Sequence, residues 1–277
     1  MPLSPLQVRT ESVYSPLSGA VQSQAITTPW VFAGPKPMSD TGDVYGNGNS
    51  SVRVNAIAVH PTDAATLYIG TSFAGIAKST DSGLNWNYLT DGLPSQAISA
   101  VVIDTTAPTI IYAGTGDAYN YTPRGQHLLG VGIYRSTDSG ATWGRFGQSS
   151  FEGYVIRQLA VDPATSGSQT ATILYAALTH GPSTTSRGVW ESLDSGQTWT
   201  RMNTGVGFNA SAYDVVIATG SGNPTVFMSN QVGAYKTIDA GANWSAMALT
   251  GGAGVTPDNP NQDKARLAFA KGVLYYT

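Results

Sequence analysis

Four segments of the chain carry one pattern, (Ser/Thr)-x-Asp-x-Gly-x-x-Trp, and this repetition restricts the fold more than any other feature. The segments are Ser79-Thr-Asp-Ser-Gly-Leu-Asn-Trp86, Ser136-Thr-Asp-Ser-Gly-Ala-Thr-Trp143, Ser192-Leu-Asp-Ser-Gly-Gln-Thr-Trp199 and Thr237-Ile-Asp-Ala-Gly-Ala-Asn-Trp244. Their tryptophans lie 57, 56 and 45 residues apart, and four of the six tryptophans of the chain hold this one position. A fixed period of this length means one supersecondary unit stacked several times.

The residues upstream of each motif repeat as well. In the first unit Val54 to His60 alternates and meets Pro61; Thr66 to Gly70, Gly75 to Lys78 and Trp86 to Leu89 follow. The second unit runs Ile98 to Asp104, Ile110 to Gly114, Gly132 to Arg135 and Trp143 to Phe146. The third uses Ile156 to Asp162, Ile173 to Ala177, Gly188 to Glu191 and Trp199 to Met202, and the fourth Tyr213 to Ala218, Thr225 to Ser229, Gly233 to Lys236 and Trp244 to Met247. A fifth starts at Ala265 to Ala270 and continues with Val273 to Tyr276. Short β-branched and aromatic runs bounded by Gly, Pro, Asp and Asn read as strands, and no helical periodicity of useful length is present. Four strands per unit of about 40 to 50 residues predict the blade of a β-propeller. The expected fold is therefore all-β: a propeller of about four complete four-stranded blades, a partial fifth and an N-terminal closing strand, forming an incomplete ring. Residues 1–28 are expected to be a flexible extension. The propeller is expected over 29–277, with blades at about 52–90, 97–147, 155–203 and 212–248 and a partial one at 264–277.

Each motif falls in the hairpin between the third and fourth strands. There the carboxylates of Asp81, Asp138, Asp194 and Asp239 can accept bonds from nearby backbone N–H groups and fix the turn. Gly83, Gly140, Gly196 and Gly241 supply a positive φ. Trp86, Trp143, Trp199 and Trp244 start the next strand and bury their rings against the blade, each indole N–H requiring an acceptor. These twelve residues are read as structural.

Charged residues are 11% of the chain, less than half the usual share of about 25%, and Gly, Ser, Thr, Ala and Asn fill the difference. That profile suits loops and strands of a secreted or surface protein. Net charge is −3 with no basic cluster, which argues against nucleic acid as a partner. The absence of cysteine excludes disulfides, thiolate metal sites and a Cys nucleophile, and is compatible with an oxidising compartment. No apolar run reaches the roughly 18 residues of a membrane span. Residues 1–19 lack a basic start followed by an apolar stretch, so they do not form a signal peptide as written, and the strand pattern at Gly272 to Thr277 has no closing turn. The chain is thus expected to be a segment of a longer protein.

At these motifs the sequence resembles the Asp-box family, also called bacterial neuraminidase repeats, over about residues 29 to 277. That family includes sialidases, xyloglucan-cleaving hydrolases, sortilin-type receptors and photosystem assembly factors, all propellers. The phrasing Ala58-Val-His-Pro61, Tyr68-Ile-Gly-Thr71 and Gly-Ile-x-(Lys/Arg)-Ser-Thr-Asp-x-Gly is nearest to the xyloglucanase and sortilin type. The resemblance implies the fold and leaves the activity open, because one fold hosts many. It also implies that Pro29 to Pro35, with Trp30 before an apolar pair, is a strand that completes the last blade of a ring of roughly six to eight.

Xyloglucanase-like relatives carry an acid after the second strand of an early blade, and a second acid in a second propeller. The matching place here is Gly70-Thr-Ser-Phe-Ala-Gly75, where Ser72 stands at the acid's position. Asp117, in Gly114-Thr-Gly-Asp-Ala-Tyr-Asn120, is the remaining catalytic candidate, with a loop-capping carboxylate as its plainer reading. Sialidases grip a carboxylate with three arginines; none of the nine here stands in the Arg-Ile-Pro context that opens that family.

The insertion from Asp117 to Val131 carries Tyr119, Tyr121, Arg124, Gln126 and His127, aromatic and polar groups that suit stacking on sugars or holding a peptide. The Thr179 to Arg187 loop, with His180 and Arg187, takes the equivalent place in the third blade. Glu152 and Tyr154 precede that blade's first strand. His60 reads as a turn residue, and the three histidines have no metal-ligand spacing. The Asp40 to Asn49 stretch lacks the terminal Glu of a calcium loop, and Gly114-Thr-Gly116 opens no phosphate-binding helix. No cofactor or metal is expected. The functional expectation is a secreted, periplasmic or cell-surface propeller acting as a glycan- or protein-binding scaffold. The alternative is the N-terminal part of a xyloglucanase-like glycoside hydrolase acting on a β-glucan. An assembly factor is the third reading.

Overall fold

The computed structural model describes residues 8–9, 52–117, 128–202, 211–218, 224–230, 233–247, 266–270 and 273–276. Strand β1 is Val8–Arg9. The first blade is β2 (Val54–Val59), β3 (Leu67–Thr71), β4 (Ile76–Ser79) and β5 (Asn87–Tyr88). The second is β6 (Ile98–Ile103), β7 (Ile111–Thr115), β8 (Ile133–Ser136) and β9 (Gly144–Phe146). A four-residue helix, α1 (Gln148–Phe151), leads to the third: β10 (Ile156–Val161), β11 (Leu174–Leu178), β12 (Gly188–Ser192) and β13 (Thr200–Arg201). The fourth is β14 (Asp214–Ala218), β15 (Thr225–Ser229), β16 (Ala234–Thr237) and β17 (Ser245–Ala246). Each is an antiparallel meander in chain order, and a further sheet has the order β1-β19-β18, with β18 at Leu267–Ala270 and β19 at Val273–Tyr276. β1 joins it parallel to β19. The architecture is that of part of a β-propeller: four complete blades and part of a fifth among the described residues. Trp30 lies outside them, as does the Asp40 to Asn49 stretch.

The motif hairpins explain why each blade closes in the same way. In the second, the Ser136 hydroxyl donates to Asp138 Oδ1 at 2.8 Å and accepts from the Gly140 amide at 2.8 Å. The Thr142 amide donates to Asp138 Oδ1 at 2.8 Å and its hydroxyl to Oδ2 at 2.6 Å. Asn85, Thr198 and Asn243 repeat both bonds in the other three blades. The indoles of Trp86, Trp143 and Trp199 donate to the carbonyls of Gly83, Gly140 and Gly196 at 2.9–3.0 Å. Trp244 instead reaches back one blade, to the Met202 carbonyl at 3.4 Å. The four motif glycines have φ between 83° and 90°, and the residue before each, Ser82, Ser139, Ser195 or Ala240, is also left-handed, at 54–61°. Two successive positive-φ residues turn the chain so tightly that the fourth strands begin one residue after the tryptophan and are only two or three residues long.

The blades are joined by packing and by polar contacts at the innermost strands. A β-bulge after Val54, Ile98 and Ile156 releases Asn55, Ser99 and Arg157 from the ladder. Each reaches the next blade: Asn55 Nδ2 donates to the Ile98 carbonyl at 3.0 Å, the Ser99 hydroxyl to the Ile156 carbonyl, and Arg157 lies 5.4 Å from the centre of the Tyr213 ring. Between the fourth blade and the fifth sheet, the Asp214 carboxylate accepts from the Leu267 amide at 2.9 Å, with Arg266 at 4.0 Å. Between the second and third blades the fully buried Phe151 of α1 lies edge-on to Trp190 at 5.4 Å and tilted against Trp199 at 5.0 Å. Burying such a ring contributes about 1.5–3 kcal/mol, which anchors the linker beneath the loops of both blades.

Candidate functional site

The connections between second and third strands lie at one end of the blades. Phe73, Asp117 and His180 occupy the same position there, two residues beyond the ends of β3, β7 and β11. The polar groups of this end are linked across blades. Arg53, just ahead of β2, donates from Nη2 to Asp117 Oδ2 at 2.5 Å and from Nε to Asn55 Oδ1 at 2.9 Å. The Ser72 hydroxyl donates to the same Asn55 oxygen at 3.4 Å. The Asp117 amide donates to the Leu128 carbonyl at 2.7 Å, which closes the base of the insertion.

Asp117, the catalytic candidate of the sequence, is fully buried and pinned by Arg53. A carboxylate so placed accepts from the guanidinium rather than from solvent. Tyr119, Tyr121, Arg124 and His127 lie outside the described residues. His180 is half-buried: Nδ1 lies 3.0 Å from the Thr179 hydroxyl, and its carbonyl accepts from the Val155 amide at 2.8 Å. Arg187 follows a 3-10 turn at Thr184–Ser186 capped by Ser183. Its Nη2 donates to the Gly181 carbonyl at 3.3 Å, whereas its buried Nε has no hydrogen-bond partner among the described residues. Tyr154 packs its ring over Gly181; Glu152 pairs its backbone with Val131 in an isolated antiparallel bridge, and its carboxylate lies 3.9 Å from Arg145. The fold thus brings Asp117, Tyr154, His180 and Arg187 to one end of the second and third blades. Arg53, Asn55 and Phe73 of the first blade join that end without having been expected from sequence. Their signal is weak, since an Arg before a strand and a Phe in a short loop resemble surface residues.

The motif carboxylates sit away from this cluster, in the third-to-fourth-strand hairpins. Bonds from Asn85 and Ser79 hold Asp81 well below the ordinary range, at about 2; Thr142 and Ser136 do the same for Asp138, and Asn243 and Thr237 for Asp239. At Asp194 burial pulls upward, but the bonds from Thr198 and Ser192 together outweigh it and the pKa is lowered. Among the described residues no group of three or more His, Cys, Asp or Glu could hold a metal ion, and no helix is long and apolar enough to cross a membrane.

No family model matches the sequence. It is 34% identical over 107 residues to a xyloglucanase of Hypocrea jecorina, an alignment covering 38% of this chain and 12% of that one. It is 26% identical over 186 residues to a probable oligoxyloglucan-reducing end-specific xyloglucanase of Neosartorya fischeri, covering 65% of this chain and 20% of that one. The chain therefore spans a fifth or less of the curated relatives it matches. Among solved structures, an ancestral GH74 enzyme superimposes with a TM-score of 0.53 at 17% identity, over 70% of this chain and 25% of that one, a likeness of fold. These similarities place the chain among β-propeller proteins.

Proposed function

We propose that the chain is the N-terminal part of a xyloglucanase-like glycoside hydrolase of the Asp-box type, and that it holds a neutral β-glucan on the end of the blades that carries Arg53, Asp117 and His180. The observation that carries this reading is the 34% identity with a xyloglucanase over 107 residues. The four motif hairpins, bonded alike through Asp81, Asp138, Asp194 and Asp239, support the Asp-box assignment. The same relatedness supports a place outside the cell, and the short share of each relative that the chain spans supports further blades in the complete enzyme.

Within this portion the chemistry is that of binding. Ser72 stands where the resemblance puts an acid, and a hydroxyl at that place cannot act as the carboxylate of a glycosidase pair. Asp117 is occupied by Arg53. This favours a second reading, a scaffold that binds polysaccharide without cutting it. Reducing-end release from xyloglucan and other β-glucans by the natural gene product, with Asp117→Ala beside it, separates the two. Release that survives Asp117→Ala supports a hydrolase whose acids lie elsewhere. Binding without release supports the scaffold, and neither binding nor release with any β-glucan overturns both.

A further inference from the structure

We propose that the edge of β19 turned away from β18 is a strand-acceptor site, that its occupant is the antiparallel third strand of a fifth blade, and that Val8–Arg9 is a place-holder on that edge. The choice of occupant rests on the reading of the chain as part of a longer propeller.

Three observations carry it. First, β18 and β19 are the first two strands of a blade. The Ala268–Tyr275 pair stands where Ala58–Tyr68, Val102–Tyr112, Ala160–Tyr175 and Val216–Phe227 join the first and second strands of the four complete blades. The next pair, Phe269–Leu274, packs on the fourth blade as Ile103–Ile111 packs on the first, with Phe269 stacked on Phe227 at 5.7 Å. Second, the third strand of each complete blade is antiparallel and puts Lys78, Arg135, Glu191 or Lys236 opposite that aromatic residue. Three of the four are cations, and Lys78 lies 5.2 Å from the centre of the Tyr68 ring, a cation–π contact. The register position opposite Tyr275 belongs to Arg9, on a strand that runs parallel to β19. β1 thus repeats the register of a third strand in the reverse direction. Third, β1 pairs with two residues of β19, whereas β4, β8 and β16 each pair with four residues of the second strand and β12 with five. A two-residue parallel pairing holds less tightly than a longer antiparallel one, and a sheet edge accepts an extended strand through its backbone groups. The strand that fits best starts at a glycine and continues as in Gly75-Ile-Ala-Lys-Ser79 and Gly132-Ile-Tyr-Arg-Ser136.

The test adds to the whole chain a synthetic peptide with the sequence of residues 132–146, the third strand, hairpin and fourth strand of the second blade. Calorimetry reads binding, hydrogen exchange reads protection over Val273–Tyr276, and melting curves check the fold. Val8→Pro/Arg9→Pro removes two strand amides and should speed exchange over Val273–Tyr276. The peptide should bind this variant about tenfold more tightly than the wild-type chain, where β1 competes, and should slow exchange over the same segment in both. The same peptide carrying Arg135→Glu should bind about threefold more weakly. Exchange that is unchanged in the proline variant, or equal binding by both chains, overturns the place-holder. No binding to the wild-type chain or to the variant overturns the acceptor edge. A proline variant that dimerises without peptide gives the edge to a second copy and overturns the stated occupant. None of these results touches the longer-propeller reading, which a natural gene product no longer than this chain overturns.

Discussion

Arg135 of the second blade donates a 3.0 Å hydrogen bond to the carbonyl of Ser195, a residue held at φ 59° inside the motif hairpin of the third. Lys78 makes the same bond one blade earlier, to Ser139 at 3.3 Å, and the Tyr68 hydroxyl adds another at 3.0 Å. A left-handed residue turns its carbonyl out of its own hairpin, and the preceding blade supplies the donor that this carbonyl needs. In the third blade the position opposite Tyr175 is Glu191, which corresponds to Lys78 opposite Tyr68 and Arg135 opposite Tyr112. A carboxylate cannot donate to a carbonyl while ionised, so the joint between the third and fourth blades lacks this bond.

Glu191 should therefore weaken that joint at neutral pH. Burial pushes its pKa above the usual 4.5, and the bond from the Tyr175 hydroxyl offsets this only in part. A raised folded pKa means stability that is present below the unfolded value and is lost as pH climbs through the folded one. Glu191→Gln should raise the Tm at pH 7 by about 2 °C, with the gain disappearing near pH 4. Thermal melts of both proteins at the two pH values check this; an equal gain at both would show that the charge is not the cause.

The motif carboxylates should set the opposite end of the pH profile. Asp81, Asp138 and Asp239 are held near 2 against an ordinary 3.8. A depressed folded pKa gives stability that is present above the unfolded value and lost as pH falls through the folded one. The blades should thus keep their tryptophan fluorescence at pH 4 and lose it between about pH 3.8 and 2. Asp81→Asn, Asp138→Asn and Asp239→Asn combined should melt lower at pH 7 and flatten that acid limb. An unchanged limb would place the acid-labile groups elsewhere.

The last variable position of the motif is not free, and this was open to reading from the sequence. Asn85, Thr142, Thr198 and Asn243 all present an N–H or O–H to the second carboxylate oxygen, so only a short donor fits. Thr142→Asn should be tolerated, since two blades use Asn. Thr142→Val, the same shape without the donor, should unfold at a lower denaturant concentration, because it loses a hydrogen bond to a charged but exposed acceptor. Denaturant unfolding of the two variants gives the difference, and equal midpoints would remove the hydroxyl from the account.

Strand order, hairpin position and the structural glycines were legible because they recur with the tryptophan period. The left-handed residue before each glycine was not, because Ser and Ala carry no sequence signal for positive φ. The bulged Asn55, Ser99 and Arg157 look like ordinary strand residues until the ladder slips and points them at the next blade. α1 has four residues, too few to show a period. At the candidate site, Asp117, His180 and Arg187 stood out by their place in long loops. Arg53 did not, because its partner lies 64 residues away and only the curvature of the array brings the two together.

The same curvature demands a match of sizes between neighbouring blades. Neither Gly70 nor Gly114 has a positive φ, so backbone freedom does not account for either. A Cβ on Gly114 would lie 2.7 Å from Ile156 Cγ2 and 2.9 Å from the Ile156 carbonyl oxygen; one on Gly70 would lie 2.6 Å from Ile98 Cγ2. In the third blade the corresponding residue is Ala177, opposite Gln158 as Gly114 is opposite Ala100, and it shares a core cluster with the smaller Ala212. Gly114→Ala should cost about 1–3 kcal/mol by overpacking, and Ile156→Ala about 2–5 kcal/mol by leaving a cavity. Together they should cost at least about 1 kcal/mol less than the sum, because each substitution relieves the other's misfit. A double-mutant cycle by denaturant unfolding measures the coupling, and strict additivity would mean that the two blades do not meet through this pair.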